Sequence, residues 1–92
     1  MNDKAIHATV HGKVQGVFFR KETSVTASRL GLTGWVRNTP DGAVEVWAEG
    51  NGAKIEKFAK WLESGPPMAL VSRIELKYTE PTCDHFTFSI RN

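Results

Sequence analysis

The sequence contains a single cysteine, Cys83. That excludes an intrachain disulfide and a thiolate cluster for a structural metal, and it leaves an inert thiol near the chain end as the expectation. No apolar run approaches the roughly 20 residues that cross a bilayer. The start MNDKAIHATV also lacks the apolar core of a signal peptide, so a cytoplasmic protein with no membrane partner is expected. Charge of one sign is scarce too: the formal net charge is +2. Nucleic-acid modules carry a dense basic face, so no polyanion partner is expected and any bound anion should be small. Repeats, linkers and low-complexity segments are absent, and Met1 with no extension points to a free-standing chain.

What is present is a globular balance. The 92 residues are 40% hydrophobic and 24% charged, enough for one domain over residues 1–92 that buries about two thirds of its unfolded surface. Nothing in the pattern suggests an obligate interface, so a monomer is expected. Ile6, Ala8 and Val10 alternate with His7, Thr9 and His11, the period of a strand with one buried face. From Arg20 to Leu30, Thr23, Thr26, Ala27 and Leu30 recur at helical spacing, with Gly31 as the stop. LTGWVRN (32–38) and AVEVWAE (43–49) read as strands, and TPDG between them favours reversal into a hairpin. Trp35 and Trp47 then become cross-strand neighbours.

Asn51 is placed to cap a helix whose stripe is Ile55, Phe58, Ala59 and Leu62, ended by SGPP. Ile74, Leu76 and Tyr78 alternate as a fourth strand. After a break at Pro81, Phe86, Phe88 and Ile90 alternate as a short fifth whose sheet edge the pattern leaves open. The order β, α, β, β, α, β is that of an α+β ferredoxin-like sandwich: an antiparallel sheet, two helices on one face, and a short extra C-terminal strand.

The join between the first strand and first helix is HGKVQGVFFRKE, residues 11–22. A loop entering a helix presents N–H groups without intrahelical partners, and the helix dipole adds partial positive charge, so such a join can hold an anion. Gly12 and Gly16 let the backbone curl around phosphate oxygens. Arg20 at the loop's end adds a permanently charged planar fork. Spacing alone leaves equally open a tight connection in which the glycines only turn the chain and Arg20 points into water.

GKVQGVFFR, followed by LGLTGWVRN at 30–38 with Asp41 and Gly42, resembles the two signature segments of the acylphosphatase family. The likeness runs through WLESGPP (61–67) and covers essentially the whole chain. It implies hydrolysis of acyl phosphates, the mixed anhydrides of carboxylic and phosphoric acid, to carboxylate and inorganic phosphate without metal or cofactor. Carried over by position, Arg20 binds the phosphoryl group and Asn38 positions the attacking water. The cradle falls on residues 12–19, with N–H groups of Gln15, Gly16, Val17, Phe18 and Phe19 facing the phosphoryl oxygens. Phe18 occupies the motif's variable place and should affect access more than chemistry. The expected partner is therefore a small acyl phosphate, with inorganic phosphate or sulfate as competing anions.

Phosphoryl transfer requires positioning and charge stabilisation more than covalent help. Asn38 cannot act as a base at neutral pH, yet its carboxamide can accept a hydrogen bond from water. With no obvious carboxylate or histidine base in the two motifs, the proton is expected to pass to a phosphoryl oxygen of the substrate. Arg20 and Asn38 meet only if the tip of the first hairpin lies beside the first loop. Other roles compete: Asn38 as a turn residue bonding its own backbone, and His7 with His11 as residues of an exposed sheet face rather than half a metal site.

Two further functions use the same features. This topology can stack RNA bases on aromatic side chains, but Glu45 and Glu49 share the alternating face of Trp47 and would repel phosphate. A regulatory domain that binds a small anion without turnover differs only in having no use for Asn38. A third reading is a fragment of a larger carbamoyl phosphate-handling protein, since the resemblance extends to acylphosphatase-like domains within such proteins.

Overall fold

The structure, a computed structural model, describes residues 3–91; Met1, on which the expectation of a free-standing chain leans, lies outside them. The alternation around Ile6–Val10 becomes β1 (Asp3–Lys13), and the helical spacing after the glycine loop becomes α1 (Phe19–Arg29). The hairpin is β2 (Thr33–Asn38) with β3 (Val44–Asn51), followed by α2 (Gly52–Ser64), β4 (Leu70–Thr79) and β5 (Phe88–Arg91). Asn51 caps α2 as expected: its Oδ1 accepts from the N–H groups of Ala53 and Lys54 at 3.0 and 3.2 Å.

The sheet order is β4-β1-β3-β2-β5. Strands β1 to β4 pair antiparallel, and β5 adds to the β2 edge in parallel, which makes the five-stranded sheet mixed. Ile6, Ala8 and Val10 of β1 meet Val44, Val46 and Ala48 of β3, Ile55, Phe58 and Leu62 of α2, and Phe19 and Ala27 of α1 in one core. Phe58, Ile55 and Leu62 are fully buried, each contributing about 1.5–3 kcal/mol relative to exposure. Trp35 and Trp47 face each other in register.

The fifth strand is shorter than its alternation predicts. Phe86 lies outside β5 and is 93% exposed. The reason is long-range: the chain leaves β4 at one sheet edge and must reach β2 at the other, and Glu49 holds it on the way. The Glu49 carboxylate accepts from the Thr82 hydroxyl at 2.6 Å, the Thr82 and Cys83 N–H groups at 3.2 and 2.9 Å, and Trp47 Nε1 at 2.6 Å. Glu49 is 4% exposed. It is thus not presented to solvent beside Trp47, as strand alternation suggested, but covered by the returning chain.

Burial by itself would raise the Glu49 pKa, but the hydrogen bonds from Thr82, Trp47 and Cys83 outweigh it and hold the carboxyl below its ordinary value of 4.5. A depressed folded pKa contributes stability that is present above the unfolded value and is lost as pH falls through the folded one. Glu49→Gln is therefore expected to cost about 2 kcal/mol at pH 7, lowering Tm by roughly 8–16 °C. The gap between variant and parent should narrow as pH drops below about 4. Thermal melts across this range check it, and a gap independent of pH would contradict a role for the charge.

Candidate active site

Residues 14–18 link β1 to α1, and their alternation anchors the loop. Val14, Val17 and the following Phe19 are buried in the core, while Gly16 and Phe18 face outward. Phe19 also packs on Trp61 with ring centroids 5.9 Å apart. Gly16 has φ +75° and Phe18 φ 63°, ψ 21°, both left-handed. Glycine adopts this region freely, whereas for phenylalanine it costs about 1–2 kcal/mol. Strain of this kind persists where neighbouring anchors over-determine the backbone, often at a ligand site. The Phe18 carbonyl accepts from the Glu22 N–H at 2.9 Å to start α1, and no backbone carbonyl among the described residues accepts from the N–H groups of Gln15 to Phe19.

Arg20 is the second residue of α1, half-buried, with Nη1 donating to the Arg91 carbonyl at the end of β5 at 3.4 Å. Asn38 is the last residue of β2, and its Oδ1 is buried without a hydrogen-bond partner among the described residues. The condition for the two to meet is fulfilled through Gln15, whose Nε2 donates to the Thr39 and Ala43 carbonyls, each at 2.9 Å. The hairpin tip is closed further by the Thr39 hydroxyl, which donates to Asp41 and keeps the Asp41 carboxyl below its ordinary pKa.

These elements enclose an open pocket of about 280 Å³ lined by Val14, Gly16, Phe18, Phe19, Arg20, Lys21, Asn38 and Ile90. Of the residues the sequence nominated, Gly16, Phe18, Phe19, Arg20 and Asn38 line it together. Gln15 and Val17 do not: the first turns its side chain to the hairpin, and the second sits in the core. Lys21 and Ile90 were missed. Lys21 is adjacent to Arg20 and adds a second cation, a signal available in the motif. Ile90 had none, because its place depends on the edge that β5 joins.

The pocket's cationic side chains and helix start suit a compact anion, while the orphaned carboxamide oxygen of Asn38 suits a hydrogen-bond donor such as water. None of His7, His11 and His85 lines it. His7 Nε2 lies 2.6 Å from Glu45 on the open face of the sheet. Arg37 pairs with the same carboxylate at 2.6 Å. Burial alone would raise the Glu45 pKa, but these partners hold it below the ordinary value. On the aromatic face Arg37 is thus neutralised by Glu45, while the Arg91 guanidinium lies over the Trp35 ring, 4.8 Å from its centroid. Among the described residues no three potential ligands cluster to hold a metal ion, and no helix is long and apolar enough to cross a membrane.

Comparison with known proteins points the same way. The Acylphosphatase family model matches residues 6–90. An acylphosphatase of Trichormus variabilis is 51% identical over 83% of this chain and 75% of its own length. One from Pelotomaculum thermopropionicum is 43% identical over 98% of each. The solved acylphosphatase of Coxiella burnetii superposes with a TM-score of 0.92 at 43% identity, covering 98% of this chain and 94% of that one. Residues of the first signature segment and Asn38 of the second line one pocket in this shared fold, and the chain belongs to the acylphosphatase family.

Proposed function

We propose that the pocket hydrolyses acyl phosphates by attack of water on phosphorus, with Arg20 and the 15–19 loop holding the phosphoryl group and Asn38 holding the water. The observation that carries this reading is the unpartnered Asn38 Oδ1 in the wall of the same pocket as Arg20. A buried carbonyl oxygen without a donor is costly, about 1–3 kcal/mol, and a water molecule satisfies it. The N–H groups of Gln15 to Phe19, without backbone partners, are the donors for the equatorial oxygens.

As the water oxygen bonds to phosphorus, the bond from phosphorus to the acyl oxygen breaks and its electron pair leaves with the carboxylate. Arg20 and the loop amides stabilise the charge spread over the phosphoryl oxygens. A carboxylate leaves readily, so no strong general acid is needed. The water's proton passes to a phosphoryl oxygen, in keeping with a pocket wall in which, among the described residues, no histidine or carboxylate side chain takes part. The activity belongs to a single domain over residues 1–92, a cytoplasmic monomer in which inorganic phosphate and sulfate compete with substrate.

The test is hydrolysis of a simple aromatic acyl phosphate by the purified protein in the presence of a chelator. Rapid turnover supports the reading. Binding of phosphate by the folded protein with no turnover makes the loop an anion receptor and favours the regulatory alternative.

A further inference from the structure

Gln15 belongs to the phosphate loop by sequence, yet its side chain serves the opposite wall. Nε2 places its two protons on two main-chain oxygens, Thr39 O and Ala43 O, each at 2.9 Å and separated from Gln15 by 24 and 28 residues. Those carbonyls flank the reversal that follows Asn38. The Thr39 N–H donates to the Ala43 carbonyl at 2.9 Å, so the tip is a closed unit and Gln15 ties that unit to the loop.

We infer that Gln15 is a positioning residue whose amide fixes the distance between Asn38 and the phosphoryl cradle. The role rests on the function proposed above. A neutral side chain of this length that carries two protons on one nitrogen is a glutamine; glutamate would oppose two carbonyls with a carboxylate, and methionine matches the length but donates nothing. Asn38 sits at a strand end, where pairing with Val44 holds its backbone, and among the described residues the two Gln15 bonds are the side-chain hydrogen bonds that join the loop to the hairpin tip. A misplacement of about 1 Å at a reacting centre can cost on the order of 100-fold in rate.

The experiment compares kcat and the inhibition constant of inorganic phosphate in Gln15→Met, in Asn38→Ala and in the double variant, with melting temperatures to confirm folding. Gln15→Met is expected to lower kcat about 30-fold in the otherwise unsubstituted protein, with phosphate inhibition changed by less than about threefold. In the Asn38→Ala background the same substitution should cost less than about threefold further, because no carboxamide is left to position. A full loss in both backgrounds, a rise in the phosphate constant matching the fall in kcat, or an unchanged kcat would overturn the role.

If Gln15→Met does not fold, Gln15→Asn keeps both protons on a shorter stem and should show the same non-additivity with a loss of about fivefold. Absence of acyl phosphate turnover in the unsubstituted protein overturns the functional reading and this role together. Turnover there with no effect of Gln15→Met overturns only the role of Gln15.

Discussion

Arg20→Ala is expected to lower kcat/KM for an acyl phosphate by about 10⁴-fold, within the range of roughly 10³–10⁵ for arginines that stabilise phosphoryl transfer. Inhibition by inorganic phosphate should weaken too, since in the proposed mechanism the guanidinium holds the phosphoryl group in the ground state as well as in the transition state. Arg20→Lys should recover only part of the loss, because an ammonium cannot make the bidentate fork. Asn38→Ala should behave differently. It removes the water's acceptor and leaves the cradle, so kcat falls about 10³-fold while phosphate inhibition stays within about twofold. Arg20 also bonds the Arg91 carbonyl at 3.4 Å, so melting temperatures must accompany the kinetics. An equal loss of phosphate binding in both variants would contradict the division of roles.

The largest expected effect on stability lies away from the pocket, at Gly34. This residue sits in β2 between β3 and β5, at φ +140°. A Cβ built there would lie 1.9 Å from the Trp47 carbonyl oxygen and 2.8 Å from its carbon. Both are backbone atoms of a central strand, so no side chain can swing aside. Gly34→Ala forces the β2–β3 ladder apart and combines that with a disfavoured backbone conformation, a cost of about 4 kcal/mol or more. A domain of this size has about 5–15 kcal/mol in total. Gly34→Ala should therefore be unfolded or melt at least about 20 °C lower. A urea or thermal melt within a few degrees of the parent would show that the strands can part without loss.

Much of this architecture was legible because its causes are local. Ile6, Ala8 and Val10 announce a strand by period, and Asn51 announces a helix start by its capping oxygen. The TPDG stretch closes the hairpin with residues suited to a turn. At the candidate site the motif singled out Arg20 and Asn38, and the topology brings both to one pocket. What stayed hidden depends on contacts far apart in sequence. Glu49 looks like a surface carboxylate until the chain returns 33 and 34 residues later to cover it with Thr82 and Cys83. Phe86 fits a strand period but falls in the crossing segment. Ile90 reaches the pocket only because β5 joins the β2 edge. Gln15 bonds main-chain carbonyls, which leave no trace in residue types, so its tie to the hairpin could not be read from the motif.

The proposed chemistry places the new bond on phosphorus rather than on the acyl carbon, since in that proposal Arg20, the loop and Asn38 surround the phosphoryl group. Hydrolysis of an acyl phosphate in water enriched in oxygen-18, followed by mass analysis of both products after a single turnover, tests this directly. Label in the inorganic phosphate and none in the carboxylate is the predicted result. Label in the carboxylate would mean that water attacks carbon, and that the pocket does not work as described.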